Sequence, residues 1–279
     1  MNVRKVNYSA STTPREFTRS LKETGFGVLT HHPIPIDLVN KVYSEWEIFF
    51  KSESKRDYIY DPLTQDGFFP FQTENAKGYS TKDLKEFYHV YPWGRIPPEM
   101  RNSTMELYNS LVDLTSTLLS WIQEDTPDNI KDLFSVPLPE MIKDSKTNLL
   151  RILHYPPLDG KEELGAIRGA AHDDINLITL LVAGTQPGLQ VQDIENNWHD
   201  VPCDPGAIVI NAGDMLQMAS DGYYPSTTHR VTNPGKDIKN MSRYSMPLFL
   251  HPRDDIRLSE RYTAGLYLNE RLKEIGLKE

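Results

Sequence analysis

Apolar residues recur along this chain with two different periods, and the change between them falls near residue 148. Before it, Val39, Val42, Tyr43, Trp46, Phe49 and Phe50 return at the 3.6-residue spacing of a helix with one buried face. A longer stripe follows in Leu107, Leu111, Leu114, Leu118 and Ile122, with Pro127 beyond its end. Ser103 and Glu106 have the spacing of a capping box ahead of that stripe. Thr13-Pro14 is expected to open a helix through Leu21, and the run at 25–30 reads as a strand. Pro33 and Pro35 break the chain, and residues 61–80, rich in Gly, Pro, Phe and Asn, predict a long loop.

After residue 148 the texture becomes short apolar runs separated by turn residues. The runs are 149–155, 176–182, 189–193, 207–210, 228–231 and 243–250; turns fall at Pro156-Pro157, Pro187-Gly188, Asn196-Asn197, Asp204-Pro205-Gly206, Asp221-Gly222 and Pro234-Gly235. Many short strands at this spacing predict a sandwich or barrel. A last helix is expected over 259–275, with Gly276 as its C-terminal cap. The expected organisation is one structural unit: a mixed, largely helical region at 1–145, a β core at 146–255 and a C-terminal helix at 256–279. No internal repeat or low-complexity tract interrupts it.

Composition narrows the function classes. The 279 residues carry a net charge of -9, which argues against sequence-independent nucleic-acid binding and against a polybasic membrane anchor. No stretch approaches the roughly 20 apolar residues of a membrane span, and the N-terminus lacks the apolar core of a signal peptide. Cys203 is the only cysteine; it excludes an intrachain disulfide, reads as a packing residue and suits a reducing, cytoplasmic setting.

The candidate chemistry lies in the strand-rich half. His172 and Asp174 form a His-x-Asp, and positions i and i+2 of a strand project from one face. With His229 from a neighbouring strand they supply two imidazoles and a carboxylate, the ligand set that holds non-haem Fe(II) and leaves coordination positions open. Asp173, between the ligands, is expected to point away. Arg243 and Ser245, an Arg-x-Ser, can clamp the carboxylate of an organic acid through charge-assisted hydrogen bonds.

The segments LLRILHYPP (149–157), AAHDDINLITLL (171–182), GLQVQDIENNWHDV (188–201), PGAIVINAGDMLQMASDGYYPSTTHRV (205–231) and RYSMPLFLHP (243–252) resemble the catalytic core of the Fe(II)/2-oxoglutarate-dependent dioxygenases. The resemblance is narrowest to the isopenicillin N synthase-like (plant-type) branch. GFGVLTHHPIP (25–35) and DLKEFYHV (83–90) extend it over nearly the whole chain. It implies a mainly β fold with flanking helices around a double-stranded β-helix, or jelly roll. It implies His172, Asp174 and His229 as iron ligands, and Arg243, Ser245 and Tyr155 on the distal carboxylate of 2-oxoglutarate. It also implies O2 as the second cosubstrate and a small organic substrate that is hydroxylated, desaturated or cyclised with release of succinate and CO2. A carboxylate at Asp174 favours oxygenation over halogenation, since halogenating relatives carry Gly or Ala there. Leu153 departs from the plant-type pattern, which has an Asn whose amide contacts the iron-binding end of the cosubstrate.

Three further residues are candidates for the substrate side: Arg168 near the pocket mouth, Asn176 sharing a face with Asp174, and Phe69 in a lid formed with Phe68 and Phe71. Asp214 reads as a brace in a turn, and the remaining histidines lack a ligand pattern. Alternatives stay open at this point. They are a 2-oxoglutarate-independent oxidase of the isopenicillin N synthase type, a non-catalytic small-molecule-binding jelly roll, and a zinc hydrolase, which lacks an H-E-x-x-H motif here. The substrate and the oligomeric state are not readable from the residues.

Overall fold

The computed structural model describes residues 1–75, 81–202, 204–235, 239–274 and 276–277; Cys203 lies outside them. Two sheets dominate. The strands in chain order are β1 (Lys5–Asn7), β2 (Phe26–Thr30), β3 (Gly67–Phe69), β4 (Glu86–Val90), β5 (Leu149–Tyr155), β6 (Gly169–His172), β7 (Ile178–Val182), β8 (Leu189–Gln192), β9 (Trp198–Asp200), β10 (Ile208–Ala212), β11 (His229–Val231) and β12 (Arg243–Leu250). An eight-stranded sheet runs β1-β2-β10-β7-β12-β5-β4-β3, and a four-stranded sheet runs β6-β11-β8-β9. All pairings are antiparallel except β1 with β2.

Side-chain alternation explains the layers. In β12, Tyr244, Met246, Leu248 and Leu250 face the helices, while Arg243 and Ser245 take the other face. In β5, Leu150 and Ile152 join the helix-side core and Leu153 and Tyr155 the core between the sheets. The helix-side layer is α1 (Thr13–Thr24), α2 (Ile36–Lys51) and α3 (Pro98–Asp125). Trp46 of α2 is its hub: fully buried, packed on Phe49, Phe50 and Tyr88, its indole N–H donating to Thr104 at 3.0 Å. Burying a side chain of this size contributes on the order of 3 kcal/mol. Three short helices, α4 (Asp128–Lys131), α5 (Leu138–Ile142) and α6 (Asp214–Ala219), a 3-10 helix (Glu53–Tyr58) and a final α7 (Ala264–Glu274) complete the described elements.

Several expectations are corrected. Helix α3 begins at Pro98, so Ser103 is not a cap. It lies about a turn and a half inside the helix and donates to the Met100 carbonyl and Glu45. Helix α1 runs one turn past Leu21, to Gly25, whose φ of 71° supplies the left-handed stop. Within 61–80, β3 interrupts the expected loop. The last helix starts at Ala264, not near residue 259. Among the described residues no helix is long and apolar enough to cross a membrane.

Candidate active site

His172 is the last residue of β6, and its Cα partner across the sheet is His229, the first residue of β11. Their rings lie 4.4 Å apart, centroid to centroid. Asp174 is not on the strand with His172, contrary to the alternation argument. It sits just past the strand end, where its backbone carbonyl accepts from Asp214 N–H at 2.8 Å. Asp173 turns away, its carboxylate accepting from the Thr228 hydroxyl at 2.6 Å.

The three side chains can hold a metal. One ligand atom from each lies within 4.8 Å of the others. Asp174 Oδ1 is 4.0 Å from His172 Nε2 and 3.8 Å from His229 Nε2. Metal–ligand bonds of about 2 Å put two ligands of one ion no more than about 4 Å apart, so small side-chain rotations suffice. The atoms facing elsewhere are already satisfied. His172 Nδ1 bonds the Ala170 carbonyl at 2.7 Å and His229 Nδ1 the Thr227 carbonyl at 3.2 Å. A carbonyl only accepts, so the proton sits on Nδ1 and the Nε2 lone pair is left for a metal. Asp174 Oδ2 accepts from Thr179 at 2.6 Å and Asn211 at 2.8 Å.

The electrostatics suit metal binding. Burial and the neighbouring His229 hold the His172 imidazole below its ordinary pKa, which favours the neutral ligand form. Burial pushes the Asp174 carboxyl up. The two imidazoles and the bonds from Asn211 and Thr179 more than offset this, so it stays ionised. The Phe26 ring meets His229 edge-on at 5.6 Å.

A cavity of about 1030 Å³ opens on His172 and Asp174. Its wall carries a network that the sequence reading missed. Lys85 pairs with Glu74 at 2.7 Å and Asp83 at 2.8 Å, and Arg151 with Glu74 at 3.2 Å. Arg151 also donates to His89 at 3.1 Å. Burial alone would discharge Lys85, yet Glu74 and Asp83 more than offset it and the ammonium stays charged. Burial and the Arg151 guanidinium hold His89 well below its usual range, hence neutral. The signal available was Arg151 itself, a charge inside the apolar run LLRILHY.

On the inner face of the large sheet, Arg243 and Tyr155 are Cα partners, with the guanidinium 5.0 Å from the Tyr155 ring centre. Arg243 Nη1 donates to Ser245 Oγ at 3.1 Å and Nε to the Gln186 carbonyl at 3.0 Å. The structure therefore brings Arg243, Ser245 and Tyr155 together inside the roll. The three substrate-side candidates fare differently. Arg168 does not line the larger cavity but is 2% exposed, its guanidinium donating to the carbonyl of Met241, two residues before Arg243, because residue 168 precedes β6 at the end away from His172. Asn176 is among the residues that line the larger cavity; its side chain is fully buried and its amide bonds the Ile178 carbonyl and Thr179, so it also braces the residue that holds Asp174. Phe69 is no lid: it is buried between the sheets, stacked on Phe87 at 4.4 Å. Phe68 packs on the helix side, and Phe71 alone of the three is exposed.

Asp214 opens α6 and accepts from the Tyr267 hydroxyl at 2.5 Å. His154 lies between Glu86 and Ser242, and His199 bonds Asp193.

The 2OG-Fe(II) oxygenase superfamily model matches residues 146–252, and a model of the N-terminal region of non-haem dioxygenases in morphine synthesis matches residues 8–112. A solved candidate oxygenase from Shewanella oneidensis is 54% identical, with a TM-score of 0.90 over 99% of both chains. A candidate 2OG-Fe(II) oxygenase family protein from Caulobacter crescentus is 30% identical, with a TM-score of 0.81 over 98% of this chain and 99% of its own. A flavonol synthase/flavanone 3-hydroxylase from Eustoma exaltatum subsp. russellianum is 27% identical over 257 residues, covering 84% of this chain and 70% of that protein. These likenesses and a His-Asp-His cluster on a jelly-roll frame lead to one assignment: the chain belongs to the 2OG-Fe(II) oxygenase superfamily and is a dioxygenase that uses Fe(II) and 2-oxoglutarate.

Proposed function

We propose that His172, Asp174 and His229 hold the iron, that Arg243, Ser245 and Tyr155 receive the distal carboxylate of 2-oxoglutarate, and that the enzyme hydroxylates a small polar molecule. The observation that carries the metal assignment is the hydrogen-bonding of the trio. Every ligand-capable atom not aimed at the shared point already has a partner, which leaves two Nε2 atoms and Asp174 Oδ1. Fe(II) held by these residues together with 2-oxoglutarate would activate O2, the oxidant, with release of succinate and CO2.

The chain's own residues do the positioning. Thr179 and Asn211 fix which carboxylate oxygen of Asp174 faces inward. Arg243 and Ser245 offer a cation and a hydroxyl to the cosubstrate. The substrate class rests on the cavity wall, where Lys85 and Arg151 are balanced by Glu74 and Asp83 beside Tyr60, Tyr91 and Phe249. Fixed donors, acceptors and rings with near-zero net charge suit a polar molecule without a large charge of its own. A cytoplasmic setting is the reading that a single cysteine supports.

The direct test of the site is anaerobic titration with Fe(II) and 2-oxoglutarate. A visible charge-transfer band should develop in the wild type and be lost in His172→Ala. A band of undiminished strength in His172→Ala would refute the ligand assignment.

A further inference from the structure

We propose that Arg168 is a second cationic anchor for the distal carboxylate of 2-oxoglutarate, set beside Arg243 at the end of the roll away from His172; this rests on the cosubstrate reading above. Both arginines are 2% exposed. Arg168 is oriented by two contacts: its backbone N–H donates to Asn233 Oδ1 at 3.1 Å, and Nη2 donates to the Met241 carbonyl at 2.7 Å. Met241 lies two residues before Arg243, so the segment that carries the expected clamp also steers Arg168 toward it. Arg168 Nε has no partner and is shut off from solvent.

Among the described residues no carboxylate forms an ion pair with either guanidinium. Two buried cations without an acid repel each other. Burial and the neighbouring Arg243 both act against the charge on Arg168, with Tyr155 pulling the other way. A guanidinium cannot escape by losing its proton, and an uncompensated buried charge is destabilising. An anion that reached both guanidinia would remove both penalties, and Gln186, whose carbonyl accepts from Arg243, lines the same cavity as Arg168. Gly184 lets Arg243 lie close against the chain: a Cβ there would stand 2.9 Å from Nη2. A cavity of about 430 Å³ at this end is lined by Arg168, Gln186, Leu189, Val201 and Thr232.

The consequence is cosubstrate selection. Two cations reward a 2-oxo acid with a second carboxylate and reject one without it, such as 2-oxobutyrate. The test uses the full chain loaded with Mn(II), so that nothing turns over. The rise in unfolding midpoint is followed as 2-oxoglutarate is added to wild type, Arg168→Met, Arg168→Lys and Arg243→Ala. Half-saturation should move up at least ten-fold in Arg168→Met, equivalent to about 1.4 kcal/mol, and less in Arg168→Lys. The preference for 2-oxoglutarate over 2-oxobutyrate should shrink in parallel. A role confined to holding Met241 would lower the midpoint without ligand and leave half-saturation and preference unchanged. That result, with Arg243→Ala impaired, would overturn the inference alone. A wild type that never responds to 2-oxoglutarate would overturn the cosubstrate reading beneath it. Should Arg168→Met lack a cooperative transition, Arg168→Lys and Arg168→Gln carry the same comparison.

Discussion

Thr179 and Asn211 both donate to Asp174 Oδ2, and that pair of bonds decides which oxygen is left for a metal. Partners of this kind behind a metal ligand typically change affinity 10–100-fold when removed. Thr179→Val keeps the shape and deletes one donor. Its affinity for Mn(II) or Fe(II) should fall by about ten-fold, with the unfolding midpoint of the metal-free protein nearly unchanged. Equal metal affinity in Thr179→Val and wild type would show that the bond does not set the carboxylate. Both residues stand inside segments that the sequence made conspicuous, HDDINLIT and INAGD, but neither is chemically marked as a brace. That role depends on a strand pairing of β7 with β10 that sets Asn211 opposite Thr179. Asn176 illustrates the same limit. Spacing by two put it on the face of Asp174, whereas the chain leaves the strand after His172 and uses the amide to support Thr179.

The short helix α6 packs onto the Asp174–Asn176 turn through Gly213, Asp214 and Met215, whose N–H groups bond the carbonyls of Leu177, Asp174 and Asn176. Gly213 has an ordinary φ of -105°, so its importance is space, not backbone freedom. A Cβ at that position would fall 2.3 Å from the Asn176 carbonyl oxygen and 2.5 Å from Oδ1. Gly213→Ala should therefore destabilise the fold by about 1–3 kcal/mol, the usual cost of overpacking, and weaken metal binding with it. Calorimetry and metal titration on the same preparation check both, and a variant that keeps wild-type values in each would mean that the turn is not a shared support. Elements with long periodic stripes were readable in advance: α2 and α3 follow their apolar spacing, and β5 and β12 match their runs at 149–155 and 243–250. The short strands β8 and β11 also fall within the runs at 189–193 and 228–231. Strands β3, β6 and β9, of three or four residues, lie outside every such run, too short for a period to emerge. The cap at Ser103 failed because Pro97-Pro98 starts the helix a turn and a half earlier.

Across the molecule, the strands from residues 5–90 complete the sheet built by residues 149–250, so the N-terminal region forms part of the frame around the site. The larger cavity opens on His172 and Asp174, while Arg168 lines a separate, smaller one. Motif order along the sequence made the iron ligands and the Arg-x-Ser visible. The charged wall of Glu74, Asp83, Lys85 and Arg151 was not visible, because it gathers one residue of β5 and three from the segment between β3 and β4 that only the folded sheet brings together. Arg168 was misplaced for a related reason: four residues of strand and lead-in separate it from His172 and carry it to the other end of the roll. What the assembled site should do is oxidise 2-oxoglutarate whenever it oxidises substrate. The measurement is substrate-dependent conversion of 2-oxoglutarate under air with Fe(II), with succinate, CO2 and oxidised product quantified together. Equal amounts of all three, abolished in Asp174→Ala, are the predicted result. Oxidised product with O2 consumed and no succinate would contradict it.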